Sequence, residues 1–196
     1  MKTRKKRITK NQHFTRLAKL YPSCKHDSVF RESHQGYNIT YGEMEYEGIK
    51  TLYEHALKHS PTINCFMDIG SGRGKLCMYM AAYPEIKKVI GIELMKERHD
   101  DAEKLKTDLE SPFAKKVQLI NQDLFEVKFP SQTSFIWFSN LCFPPDKTAE
   151  VFEKIKNEMP KGTIVCCSNK PDLTPLETLE VPMSWDKKST VHLFMI

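Results

Sequence analysis

Apolar residues recur along the chain in two alternating rhythms. Residues 11–21 carry Phe14, Leu17, Ala18 and Tyr21 at helical spacing, and Pro22 ends the run. Residues 22–42 mix Pro, Ser, His, Gly and Asn without a period, which reads as a surface loop. Over 43–59 the positions Ile49, Leu52, Tyr53, Ala56 and Leu57 mark one helix face, with Pro61 beyond its end. Short apolar runs then alternate with helical stretches. Strands are expected at 63–67, 88–93, 117–121, 134–138 and 163–168, and helices at about 74–82, 95–110 and 146–159. This alternation predicts an α/β, doubly wound, mostly parallel sheet. The extended runs 179–185 and 189–196 leave no room for a crossover helix, so the seven-stranded sheet is expected to end in an antiparallel hairpin.

Composition narrows this picture. The 196 residues, 40% hydrophobic and 10% aromatic, suffice for one core and not for two. There is no run of about 18 apolar residues, and the amino terminus opens with charge, so neither a membrane span nor a secretory leader is expected. Cys24, Cys65, Cys77, Cys142, Cys166 and Cys167 form no CxxC pair and read as reduced, buried thiols of an intracellular protein; no metal site is expected. The net charge of +5 is unevenly placed. Lys2, Arg4, Lys5, Lys6, Arg7 and Lys10 precede the first carboxylate at Asp27, and without these six the chain has 24 basic against 25 acidic residues. A basic arm with a short amphipathic helix over 1–26, followed by a folded domain over 27–196, is the expected organisation. Such an arm suits a polyanion whose counterions it releases, although a solubilising or import tail would look the same.

The candidate chemistry begins at the glycine-rich turn Asp68-Ile69-Gly70-Ser71-Gly72-Arg73-Gly74, between a strand and a helix, where backbone N–H groups can approach a ligand closely. A dinucleotide fingerprint requires glycine where Lys75 stands, and Asp68 at the strand end would repel a pyrophosphate. The same carboxylate suits the ammonium and sulfonium of S-adenosylmethionine. Glu93, 25 residues on, ends the second strand and is placed for ribose hydroxyls, and Asp123 follows the third strand near the adenine amine. The competing reading has the glycines making a tight turn and the acids capping helices. After the fourth strand, Phe143-Pro144-Pro145-Asp146 has the polar and aromatic groups in the wrong order for the Asn/Asp-Pro-Pro-aromatic motif of amino-directed nucleic-acid methyltransferases.

Across residues 36–196 the sequence resembles the non-SET histone H3 lysine methyltransferases of the disruptor-of-telomeric-silencing family. Tyr41-Gly42-Glu43 is similar to its Y-G-E loop, and Phe66 to Lys75 to its F-V-D-L-G-S-G-V-G-Q cofactor loop. Gly91-Ile92-Glu93 is similar to G-V-E, and Asp123-Leu124 to D-F. Trp137 to Phe143 resembles F-V-N-N-F-A-F, Gly162 to Lys170 resembles G-G-R-I-V-S-S-K, and Ser184-Trp185 resembles the late S-W. Three departures stand out: Met44 replaces the threonine after Y-G-E, Lys75 the last glutamine of the cofactor loop, and Ser139 the first asparagine of N-N, with Asn140 keeping the second. If the functional asparagine maps to Ser139, a hydroxyl with fewer hydrogen-bonding groups replaces an amide. A late channel tyrosine maps to His192, or to Val191 with one deletion.

The resemblance implies a class I S-adenosylmethionine-dependent fold that methylates a lysine in the folded core of histone H3 on nucleosomes. It further implies a nuclear protein, acting as a monomer, whose basic arm holds DNA or another acidic nucleosomal surface. Tyr41, Gly42, Glu43, Met44, Phe66, Met67, Asp68, Gly70, Ser71, Gly72, Gly74, Lys75, Glu93, Asp123, Leu124 and Ser139 are then expected at the cofactor. Tyr41, Ser139, Asn140, Phe143 and Trp185 are expected at the reaction, and Met44, Trp137, Phe143, Trp185 and His192 along an acceptor channel. Two other readings compete: methylation of another protein lysine or of RNA in the same crevice, and a catalytically weak chromatin-binding module.

Overall fold

The computed structural model describes residues 9–21, 33–34, 37–38, 41–109 and 111–196. Seven strands form one sheet: β1 (Cys65–Ile69), β2 (Lys88–Glu93), β3 (Val117–Asn121), β4 (Phe135–Phe138), β5 (Ile164–Cys167), β6 (Glu177–Val181) and β7 (Ser189–Met195). Their order is 3-2-1-4-5-7-6, with the first five parallel and β7 antiparallel to both β5 and β6. The doubly wound sheet with its terminal hairpin is therefore present. β1, β4 and β5 are buried at every position, because helices cover both faces of a parallel sheet. Hairpin strand β6 alternates buried and exposed residues toward its end.

Among the described residues five α-helices cover the sheet: α1 (Lys10–Leu20), α2 (Tyr46–His59), α3 (Lys75–Met80), α4 (Lys96–Asp108) and α5 (Pro145–Glu158). Ile49, Leu52 and Ala56 of α2 join Leu76, Tyr79 and Met80 of α3 in one core layer, while Val151, Phe152 and Ile155 of α5 fill the opposite one. Pro145 opens α5, where a missing N–H costs nothing and the fixed φ suits a first turn. Among the described residues no helix is long and apolar enough to cross a membrane.

α1 departs from the expected arm. Thr9 and Gln12 form a reciprocal capping box that starts the helix. Leu17 and Tyr21 are then buried in the main core, and His13 Nε2 lies 2.9 Å from the Met78 carbonyl oxygen. The helix is thus part of the packed body. Lys2, Arg4, Lys5, Lys6, Arg7, Cys24 and the expected boundary at 26/27 lie outside the described residues. In the stretch expected to be a loop without period, Ser33–His34 pairs antiparallel with Tyr37–Asn38. Of the cysteines, Cys65, Cys77, Cys166 and Cys167 are buried free thiols, whereas Cys142 is partly exposed.

Candidate active site

The carboxyl ends of β1, β2, β3 and β4 surround one cavity of about 440 Å³, within the usual range of small-ligand pockets. Register explains the convergence. Asp68 on β1 lies beside Gly91 on β2 and Trp137 on β4, and Glu93 lies beside Asn121, so the ends of four parallel strands open on the same side. The turn after β1 runs through left-handed residues Gly70 (φ 81°) and Gly72 (φ 53°), and its first N–H groups bond to β2: Gly70 and Ser71 both donate to the Ile92 carbonyl.

The three acids differ in surroundings. Asp68 is buried, its Oδ1 has no hydrogen-bond partner, and Oδ2 receives only a long 3.7 Å contact from the Cys77 thiol. Burial pushes its pKa up to about 8; the Cys77 thiol pulls the other way, and Glu93 adds a smaller push upward. A buried carboxyl with an unpartnered oxygen at a cavity wall fits a cationic ligand. Glu93 is already held on both oxygens, with Gly72 N–H donating to Oε2 at 2.7 Å and Met95 N–H to Oε1 at 2.8 Å. Each oxygen keeps a second lone pair for a hydroxyl donor. Asp123 accepts from Phe125 N–H at 2.9 Å, which turns the chain after β3 across the cavity's edge.

A strap over residues 41–45 closes the cavity from the opposite side. It is sewn to the chain between β6 and β7: Glu43 N–H donates to Ser184 Oγ, Ser184 N–H to the Glu43 carbonyl, and Glu45 N–H to the Pro182 carbonyl, while Met44 bridges Met183. Tyr41 Oη donates to Glu43 Oε1 at 2.6 Å, and Lys75 Nζ sits 3.3 Å from Glu43 Oε2, both charged groups being almost fully buried. The glycines here are spatial necessities. A Cβ on Gly42 would stand 2.1 Å from the Trp185 ring, and one on Gly72 would stand 2.5 Å from the Tyr41 ring.

Most of the expected residues meet here: Tyr41, Gly42, Glu43, Met44, Asp68, Gly70, Ser71, Gly72, Lys75, Glu93, Asp123, Leu124, Trp137, Ser139, Phe143 and Trp185 all line the cavity. Five do not. Phe66 and Met67 are fully buried on opposite faces of β1, one in each core layer, with the Phe66 ring tilted against that of Phe135. Gly74 (φ 76°) starts α3 and points toward Ala102. His192 faces Thr178 across the hairpin, 3.1 Å from its hydroxyl. Asn140 is fully buried away from the cavity. Its Oδ1 accepts from Ser168 and Asn169 N–H, and its Nδ2 donates to the Asn169 carbonyl. Of the consecutive pair, Ser139 faces the cavity and Asn140 ties two loops together. The sequence reading missed Arg98, whose guanidinium lies 5.1 Å from the Tyr41 ring centre, and Met183. Nothing in the pattern marks Arg98, but Met183 shares strand parity with Trp185.

The model for the family described as "Histone methylation protein DOT1" matches residues 23–170, which span the strap, the glycine turn, all three acids and Ser139. The chain belongs to this DOT1 family. No individual curated protein matches it in sequence. Among solved structures, an RNA methyltransferase from Salinibacter ruber in complex with S-adenosyl-L-homocysteine is 19% identical with a TM-score of 0.60, over 75% of this chain and 91% of its own. The B. subtilis M1A22 tRNA methyltransferase TrmK gives 15% and 0.58, over 78% and 67%. A S-adenosylmethionine-dependent methyltransferase from Clostridium acetobutylicum gives 15% and 0.54, over 79% and 56%. At these identities the likeness establishes the fold, that of class I methyltransferases. In this DOT1 family member the cavity fits the cofactor of that fold, S-adenosylmethionine: Asp68 offers a lone buried carboxyl to a cation, and Gly72 leaves the room a side chain would fill.

Proposed function

We propose that this DOT1 family member methylates a lysine in the folded core of histone H3 on nucleosomes, in the nucleus, using S-adenosylmethionine. The observation that carries the reading is the family match laid over a carboxylate-lined, apolar-rimmed mouth. Glu43, Asp68, Glu93 and Asp123 line the cavity against Lys75 and Arg98, and Lys75 is neutralised by Glu43. With Asp68 and Glu93 facing the cofactor, the negative charge of the lining disfavours a phosphate backbone at the mouth. The rim carries Phe125, Leu141 and Trp185, all exposed large apolar residues suited to a folded protein surface.

When bound, S-adenosylmethionine supplies an electrophilic methyl on a positively charged sulfur. The chain itself supplies position and environment. Glu93, held by two backbone N–H groups, is a rigid acceptor for ribose hydroxyls, and Asp68 is a counter-charge that water does not screen. Met44, Trp137, Phe143, Met183 and Trp185 wall the acceptor side with apolar surface. A free lysine has a pKa of about 10.4, so presenting the neutral amine at pH 7 costs about 4–5 kcal/mol. Apolar walls and a nearby sulfonium both disfavour the ammonium and reduce that cost. Alignment for in-line attack supplies the remaining acceleration, so no dedicated base is required.

Mass spectrometry of recombinant nucleosomes incubated with protein and cofactor tests the reading. A methylated lysine in the H3 core is expected, and transfer to RNA alone, or to no histone, overturns it. Gly72→Arg drives a side chain into the Tyr41 ring and abolishes cofactor binding by calorimetry; normal binding by that variant would remove the site assignment.

A further inference from the structure

The two ends of the sheet differ in charge. The carboxyl end holds the acidic cavity. At the amino end, Lys88 opens β2 after Lys87, and Lys115 and Lys116 immediately precede β3; the register Val89↔Val117 places these two lysine pairs side by side. α1 begins at the same end. Lys10 Nζ lies 3.6 Å from the centre of the Tyr83 ring, and Lys116 Nζ donates to the Tyr83 carbonyl at 3.1 Å. Lys87 Nζ donates to the Pro84 carbonyl at 2.7 Å in the same loop. Among the described residues none of these five lysines lies within ion-pair distance of a carboxylate, whereas Lys96, Lys106, Lys147, Lys154 and Lys156 on α4 and α5 all do. Glu85 and Glu54 temper the cluster from a greater distance. Loss of water lowers the pKa of Lys10 and of Lys116; the like charge of Lys87 lowers the latter further, whereas Glu85 and Glu54 act in the opposite direction at Lys10.

Further basic residues precede α1 in the sequence. The capping box at Thr9 fixes the start of α1, and Lys2, Arg4, Lys5, Lys6 and Arg7 lie immediately upstream. We propose that the amino-terminal end of the β2–β3 edge, with Lys10, Lys87, Lys88, Lys115 and Lys116, is a docking surface for the sugar–phosphate backbone of duplex DNA. Duplex is favoured over an unpaired strand because single-strand binders need exposed aromatic platforms. Tyr83 is buried here and Phe113 packs on the core, while the exposed aromatics Phe125 and Trp185 rim the cavity at the other end. Contacts restricted to phosphates give binding without base preference and with a steep salt dependence. The surface lies beyond the full length of the parallel strands from the mouth, so DNA and acceptor do not compete. This inference does not depend on the identity of the acceptor.

The test is fluorescence anisotropy of the full chain with a mixed-sequence duplex of 30 base pairs over a salt series. Replacing exposed Lys87 and Lys115 by Gln (Lys87→Gln with Lys115→Gln) should lower the slope of log affinity against log salt by about 2, at about 0.9 per phosphate contact. Calorimetric cofactor affinity should be unchanged. Lys96→Gln with Lys156→Gln, on ion-paired helix lysines, should leave the slope alone. An unchanged slope in the first pair, an equal loss in the second, or tighter binding of single-stranded RNA of the same length would each overturn the proposal. Because neither histone nor methyl transfer enters the measurement, failure of the acceptor assignment would not be mistaken for failure here.

Discussion

At the residue scale, Asp68 couples the cavity to pH. Its pKa of about 8 lies above the unfolded value of about 3.9, so the folded chain without cofactor holds a proton that the unfolded chain has lost. That preference stabilises the fold fully below pH 4 and is lost as pH rises through 8. Without cofactor, the melting temperature relative to Asp68→Asn should therefore fall across this window. A cationic ligand reverses the preference, so cofactor affinity should rise from pH 6 to 8, and binding at pH 7 should release a proton, seen as a buffer-dependent heat in calorimetry. Asp68→Asn should bind weakly with a flat profile. The position of Asp68 was legible from sequence because a strand end followed by glycines leaves little choice. Which of Ser139 and Asn140 faces the cavity was not, because neighbouring residues just past a strand diverge and only the Ser168–Asn169 loop decides between them.

The element scale is set by that loop. Asn140 joins the connection from β4 to α5 with the connection from β5 to β6 through three hydrogen bonds from one side chain, and Asn169 returns one to the Asn140 carbonyl. Asn140→Ala leaves two backbone N–H groups without an acceptor, at a cost of about 1–3 kcal/mol. It should lower the melting temperature by several degrees. Acceptor methylation should fall while cofactor affinity stays within about twofold, since Asn140 does not touch the cavity. Asn140→Asp keeps the Oδ1 acceptor and should recover part of the loss. The strands 88–93 and 117–121 match the expected bounds at both ends, although only the first is buried along nearly its whole length; the second is a half-exposed edge strand with Gln118 facing out. α1 shows the opposite case. Its period was visible, but not its burial against α3, which depends on a surface sixty residues away.

For the whole molecule, α1 decides where the arm can act. Eleven helical residues span about 16 Å, from Lys10 at the amino end of the sheet to Leu20, next to Tyr21, whose hydroxyl donates to the Arg73 carbonyl in the glycine turn. A deletion that tests the arm should therefore stop at residue 8 and spare Thr9. Removing residues 1–8 takes away Lys2, Arg4, Lys5, Lys6 and Arg7, and should reduce the salt slope of nucleosome binding by up to about 4–5 with cofactor affinity unchanged. Equal binding of the deleted and full chains across the salt series would refute a role for the arm. The mostly parallel sheet and its terminal hairpin were readable from the alternation of elements, whereas the strand order was not, and the strap over the cavity joins residues 141 positions apart with no local pattern to signal such a pairing.

That strap has a consequence for the chain as it is made. Glu43 and Met44 leave the ribosome long before Met183, Ser184 and Trp185, so a growing polypeptide has every acid of the crevice before it has the last wall. The acceptor wall is thus the last part of the crevice to be assembled, after the acids that face the methyl donor are already in place.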